Sequence, residues 1–234
     1  MANGAGLLLG AGLLWAYTRR GSAPGTQRSA PADPFAQFIP TGRDLDNLNL
    51  RIGIWYEELL DASEGVVPYQ LTGAIMFAES RGGFARGLTH FTPRPFGSDD
   101  SPLVKVWAAA CRHPGREIGL MGLHPRFHDF ANTPQALFGS ANLAYGAAFY
   151  LETIEEVERN VGALSPLGVR SVAAARYNGG QRAWRAARTV LQNGGTDSAA
   201  IIAADQHTAS KTYGRTTVAR ALALNMPRSA EAAA

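Results

Sequence analysis

Cysteine is nearly missing from this chain: Cys111 is the only one in 234 residues. No intrachain disulfide can form, so packing alone must hold the fold. Lysine is almost as scarce, with Lys105 and Lys211 the only two. The net charge of +3 therefore comes mostly from arginines, and these are scattered and build no basic tract. That argues against a nucleic-acid partner and suits an anionic polymer such as a cell wall. His124 and His128 stand at i and i+4 without further ligands nearby, so no metal site is expected, and nothing calls for a cofactor. No apolar run reaches the roughly 20 residues of an ordinary membrane span. No long alternating pattern marks a strand.

Hydrophobic residues nonetheless make up 46% of the chain, ample for a core. Residues 4–17 are uncharged and apolar, with Trp15 and Tyr17 at the edge and Arg19 and Arg20 just beyond. The basic start of a signal peptide is missing. Residues 1–20 are therefore expected to form a short membrane anchor, a cleaved signal being the alternative. Residues 21–43 are rich in Ser, Ala, Pro, Gly and Thr without a helical period and read as a tether. One domain is expected over 44–225, and a disordered tail over 226–234.

The domain reads as helical. Leu45, Leu48, Ile52, Trp55, Leu59 and Leu60 recur at three- and four-residue steps, predicting a helix over 44–61. Pro68 opens a second to Ser80, and 81–101 reads as loop or short hairpin. Pro102 and Pro134 open others, and Leu143, Ala147, Tyr150, Leu151, Ile154 and Val157 mark the buried face of a long helix over 140–159. Helices follow over 171–176, 181–192 and 205–224, with Asn178-Gly179-Gly180 and Gly194-Gly195 as breaks. The class is all-α, with room for one small hairpin.

Glu79 carries the chemistry. It ends the apolar run 71–78 and precedes Ser80-Arg81-Gly82-Gly83. A carboxyl at the end of an apolar helix, beside a glycine break, can sit in a cleft, and its half-apolar flank raises its pKa. A glutamic acid that keeps its proton near neutral pH is what cleavage of a glycosidic bond requires. The plain structural alternative is a surface residue at a helix end.

Four short motifs follow one another in order: Ala78-Glu79-Ser80-Arg81-Gly82, Gly119-Leu120-Met121, Asn142-x-x-x-Gly146 with Tyr150-Leu151, and Ala175-Arg176-Tyr177-Asn178-Gly179-Gly180. The set resembles the soluble lytic transglycosylase family, which shares the lysozyme-like fold with goose-type lysozyme. The resemblance spans about residues 67–222, and a late Tyr213 with Val218-Ala219-Arg220 is similar to the family's final tyrosine helix. It implies a peptidoglycan glycan strand as partner, cut between N-acetylmuramic acid and N-acetylglucosamine to leave 1,6-anhydro ends. It implies Glu79 as the sole catalytic acid/base, with Tyr177 facing it and holding it by a hydrogen bond. Met121 would line the cleft floor, with Ser80, Gly119 and Asn178 among the substrate contacts. Gly122 stands where the family usually has glutamine.

Three classes follow from this reading. The first is a lytic transglycosylase. The second is a hydrolytic muramidase, in which Asp99 or Asp100 assists a water; the plain reading of that pair is a solvated turn. The third is a wall-binding or structural module of the same fold without chemistry. The arginines after the apolar run favour keeping the bulk of the chain cytoplasmic. Acting on a wall then implies an exception to that bias, giving an anchored enzyme of the bacterial envelope, or delivery within a larger assembly such as a phage virion.

Overall fold

A computed structural model describes residues 33–82 and 117–224. The anchor expected over 1–20, the helix expected from Pro102, Asp99, Asp100 and the tail over 226–234 lie outside the described residues, as do most of the tether and of the loop over 81–101. Among the described residues the architecture is all-α, as the periodicity predicts. There are eight α-helices: α1 Gly42–Ile54, α2 Tyr56–Ser63, α3 Tyr69–Ser80, α4 Gly139–Val161, α5 Pro166–Gly179, α6 Gln181–Gln192, α7 Asp197–Asp205 and α8 Tyr213–Leu224. No described helix is long and apolar enough to cross a membrane.

α3 is the central element. Leu71, Thr72, Gly73, Ala74, Ile75 and Met76 are consecutive and all buried, so the helix is covered on every side. α8, α2, α4 and α1 pack around it. Burying each large aliphatic side chain contributes roughly 1.5–3 kcal/mol. Apolar surface right round a helix dictates this central position. The helix stops at Arg81, a left-handed residue at φ 50° whose N–H bonds to Phe77 O. Trp55 Nε1 then donates to Gly82 O at 3.2 Å, tying the stop to the α1–α2 corner.

Several boundaries differ from the sequence expectation. The helix predicted over 44–61 is two helices, broken at Trp55, whose ψ of 18° lies outside the helical range. The Trp55 indole is buried there beneath Gly139, where an added Cβ would sit 2.3 Å from the ring. The packed body also begins before residue 44. Phe35 is only 3% exposed, and the Arg215 guanidinium lies 4.9 Å from the centroid of the Phe38 ring, so the tether is shorter than 21–43. Pro134 opens only a short 3-10 turn ahead of α4. α5 starts five residues earlier than predicted, at Pro166, because Ser165 caps it by accepting from Gly168 N.

The last predicted helix, over 205–224, begins only at Tyr213, and α7 ahead of it is not expected from the sequence. α7 is capped by Thr196, which accepts from Ala199 N. It ends at Asp205, and the chain turns through 206–212 before α8. Asp205 does not continue a helix there; its carboxylate accepts from Gly214 N at 2.7 Å and so caps the next one. That choice of partner is tertiary and has no helical period to reveal it.

Candidate active site

Glu79 sits on the last turn of α3, partly shielded from solvent. Three other segments converge on it: the turn 118–123, the end of α5 and the start of α8.

The turn is built from its glycines. Ile118 and Leu123 exchange backbone hydrogen bonds, both 2.8 Å, and Gly122 N donates to Gly119 O at 3.1 Å. Gly119 and Gly122 have φ of 89° and 61°, conformations that cost an L side chain about 1–2 kcal/mol. Asn142, fully buried on α4, locks this turn. Its Oδ1 accepts from Met121 N at 2.8 Å, and its Nδ2 donates to Ala136 O at 2.9 Å and Ile118 O at 3.4 Å. Gly146 on the same helix leaves room for Met121, since a Cβ there would lie 2.4 Å from Met121 Cγ. The Asn-x-x-x-Gly spacing is therefore one device: the asparagine pins the turn and the glycine admits its methionine.

Glu79 is held through one oxygen. Tyr213, the first residue of α8, donates its hydroxyl to Glu79 Oε1 at 2.5 Å. Asn178 Nδ2 donates to the same oxygen across a longer 3.5 Å. The Asn178 amide is oriented by Ala209 N, which donates to Asn178 Oδ1 at 3.1 Å and so turns Nδ2 toward the glutamate. Oε2 faces Gly122, where a Cβ would sit only 2.6 Å away. With Oε1 engaged as an acceptor, a proton on this carboxyl belongs on Oε2.

Burial pushes the Glu79 carboxyl up to about 7; the hydrogen bond from Tyr213 opposes this, the negative charge of Glu117 adds to it, and Asn178 opposes it weakly. The Tyr213 and Tyr177 hydroxyls are raised well above their ordinary value by burial and by the nearby Glu79, so both remain protonated donors. Glu79 can therefore give up or accept a proton near neutral pH.

The expected site residues divide as follows. Glu79 and Asn178 are brought together. Tyr177 is close, but the bond expected from it to Glu79 is made by Tyr213. Tyr177 instead donates to Met121 O at 2.8 Å, because that carbonyl is the acceptor its hydroxyl meets, and its ring packs on Phe149 and Tyr150. Met121 does not line a cleft floor: its side chain is 0% exposed and only its backbone works at the site. Ser80 is buried and donates to Met76 O at 3.0 Å within its own helix. Gly119 is a scaffold position pressed against Asn142. The signal for Tyr213 was its likeness, with Val218-Ala219-Arg220, to the final tyrosine helix of the family that the chain resembles, but no spacing in the sequence could show that its hydroxyl reaches across 134 residues to Glu79.

No protein-family model matches the chain, and no curated protein is detectably similar to it. The site has therefore to be read from its own geometry. Among the described residues no group of three or more His, Cys, Asp or Glu gathers as a metal site would require.

Two consequences can be measured. Tyr213→Phe removes the bond that favours the charged form of Glu79. A hydrogen bond to a charged group contributes about 1.5–3 kcal/mol, so the titration of Glu79 should rise by about 1–2 pH units. A pH–rate profile whose limb stays in place would show that Tyr213 does not tune the acid. The second consequence concerns stability. Folded, Glu79 is pushed up to about 7 by burial, above the 4.5 ordinary for a glutamate carboxyl. Below about pH 4.5 both folded and unfolded chains hold the proton, and nothing is lost. As pH rises through 7, the folded state must carry a buried charge, at a cost on the order of 3 kcal/mol. Glu79→Gln should therefore stabilise the protein at pH 8 and leave it nearly unchanged at pH 4. Thermal midpoints at the two pH values check this; an equal effect at both would show that Glu79 is not held neutral.

Proposed function

We propose that this chain cleaves the glycan of bacterial peptidoglycan, with Glu79 as acid and then base, in the manner of a lytic transglycosylase. One observation carries the reading: Glu79 is held through Oε1 by Tyr213 and Asn178 in a setting whose burial pushes its carboxyl up to about 7, which makes Oε2 the oxygen on which a proton would sit. In the reaction Oε2–H protonates the glycosidic oxygen as the bond from that oxygen to the anomeric carbon breaks. The C6 hydroxyl of the same muramic acid ring attacks the anomeric carbon and loses its proton to the Glu79 carboxylate. The acid is restored, the 1,6-anhydro ring closes and no water is consumed. The nucleophile is already on the substrate, so effective molarity is high and no second carboxylate is needed.

A second reading has a specific observation behind it. Glu117, exposed at the start of the 118–123 turn, is close enough for its charge to act on Glu79. A second carboxylate could activate a water and make the chain a hydrolytic muramidase. Mass spectrometry of the products released from purified cell walls separates the two. Anhydro ends support the transglycosylase, reducing ends the muramidase. Wall binding without released fragments would leave a non-catalytic module and overturn both. The partner under either reading is the glycan strand, reached from the bacterial envelope, with residues 4–17 as the membrane contact, or from a phage virion.

A further inference from the structure

Asp205 is a wholly buried carboxylate that takes no part in the chemistry above. Its side chain is 0% exposed, at the end of α7. Oδ1 accepts from Gly214 N at 2.7 Å, and Oδ2 accepts from Arg215 Nε at 2.8 Å and Arg215 N at 3.4 Å. Arg215 is itself buried and its Nη2 donates to Lys211 O at 3.2 Å. Gly214 and Arg215 follow Tyr213 directly, so the carboxylate grips the first turn of α8 where its N–H groups have no helical partner. From the other side Gly214 is pressed on α5: a Cβ there would lie 2.2 Å from Ser171 O. Tyr213 therefore begins α8 at a point clamped by α7 and by α5.

We propose that Asp205 is a positioning residue for the site, acting through Gly214 and Arg215 to hold the Tyr213 hydroxyl on Glu79 Oε1. A buried ion pair is seldom a net source of stability compared with apolar packing. What this one supplies is register, because a shift of α8 by a fraction of a turn would carry the hydroxyl out of hydrogen-bond range. Glu79 feels Tyr213 from α8, Tyr177 and Asn178 from α5 and Glu117 from the turn. Of these only Tyr213 adjoins residues bonded to the Asp205 carboxylate; Asn178 meets the turn after α7 through Ala209 N, next to Thr208, whose N–H and hydroxyl bond to the Asp205 carbonyl instead. The role assigned to Glu79 rests on the reading above, but the position of Tyr213 does not.

The test follows Glu79 directly, by carboxyl carbon NMR of the full chain labelled in glutamate, with Glu79→Gln identifying its signal. In Asp205→Asn the titration of Glu79 should rise by at least half the shift seen in Tyr213→Phe, and combining the two substitutions should add nothing further. Arg215→Lys keeps the charge of the pair, which protects folding, and should move the titration the same way by less. If Asp205→Asn does not fold, Arg215→Lys decides. A purely structural Asp205 would lower the thermal midpoint and leave the Glu79 titration where it was. An unchanged or lowered titration in the folded variants overturns the proposal. The readout needs no turnover. A chain that releases no fragments from cell walls but shows these shifts would refute the enzymatic reading and leave the positioning role standing.

Discussion

Glu79→Gln should abolish release of wall fragments while leaving the fold intact. Glutamine has the same shape, and its Oε1 can still accept from Tyr213, so the contacts of the end of α3 are conserved. What it lacks is the proton on the second oxygen. General acid catalysis contributes roughly 10²–10⁴ in rate. In a one-carboxylate mechanism the same group is also the base, so the loss should lie at the upper end or beyond. The measurement is turnover on purified cell walls, with circular dichroism and the thermal midpoint as controls. A folded Glu79→Gln protein that releases fragments at the parent rate would remove Glu79 from the mechanism.

The second large effect belongs to Gly122→Ala. Gly122 stands where the family that the chain resembles usually has glutamine, which on sequence alone suggests a lost contact. The geometry gives it another meaning. An added Cβ would lie 2.6 Å from Glu79 Oε2 and 3.1 Å from both Cβ and Cδ of Glu79. It would also need φ of 61°, unfavourable for alanine. The carboxyl would have to turn away, breaking the bond to Tyr213 and moving the acid by a sizeable fraction of an ångström. Misplacement on that scale costs about 100-fold in rate, and the strain about 1–3 kcal/mol in stability. Comparing kcat/KM with the thermal midpoint separates the two effects. A stable Gly122→Ala variant with parental kcat/KM would show that the close approach of Gly122 does not place the acid.

Much of this was legible in the chain because it is local. The buried face of α4 follows from apolar residues at three- and four-residue spacing. The central place of α3 follows from six consecutive buried residues of which only Thr72 is polar, and its hydroxyl is met by Ser63. Glu79 was recognisable as a carboxyl at an apolar helix end. The stop after α5 at Gly180, with φ of 71°, needs only the glycine. These features depend on neighbours within a turn or two, where periodicity and backbone preference decide the outcome.

What the sequence could not determine is which distant group meets which. Whether Tyr177 or Tyr213 holds Glu79 depends on where two helices, far apart in the chain, place two similar hydroxyls. Tyr177 found a nearer acceptor in Met121 O, and Tyr213 took the carboxylate. The break at Trp55 depends on the helix that covers the indole, and the late start of the last helix at Tyr213 depends on Asp205, whose carboxylate caps it from the end of α7. The sequence by itself determined an all-α fold and placed the Glu79 carboxyl at the end of an apolar helix. Only the tertiary structure decided how that acid is held, because hydrogen bonds between remote segments are chosen by proximity in space, and proximity in space is what the packed core creates.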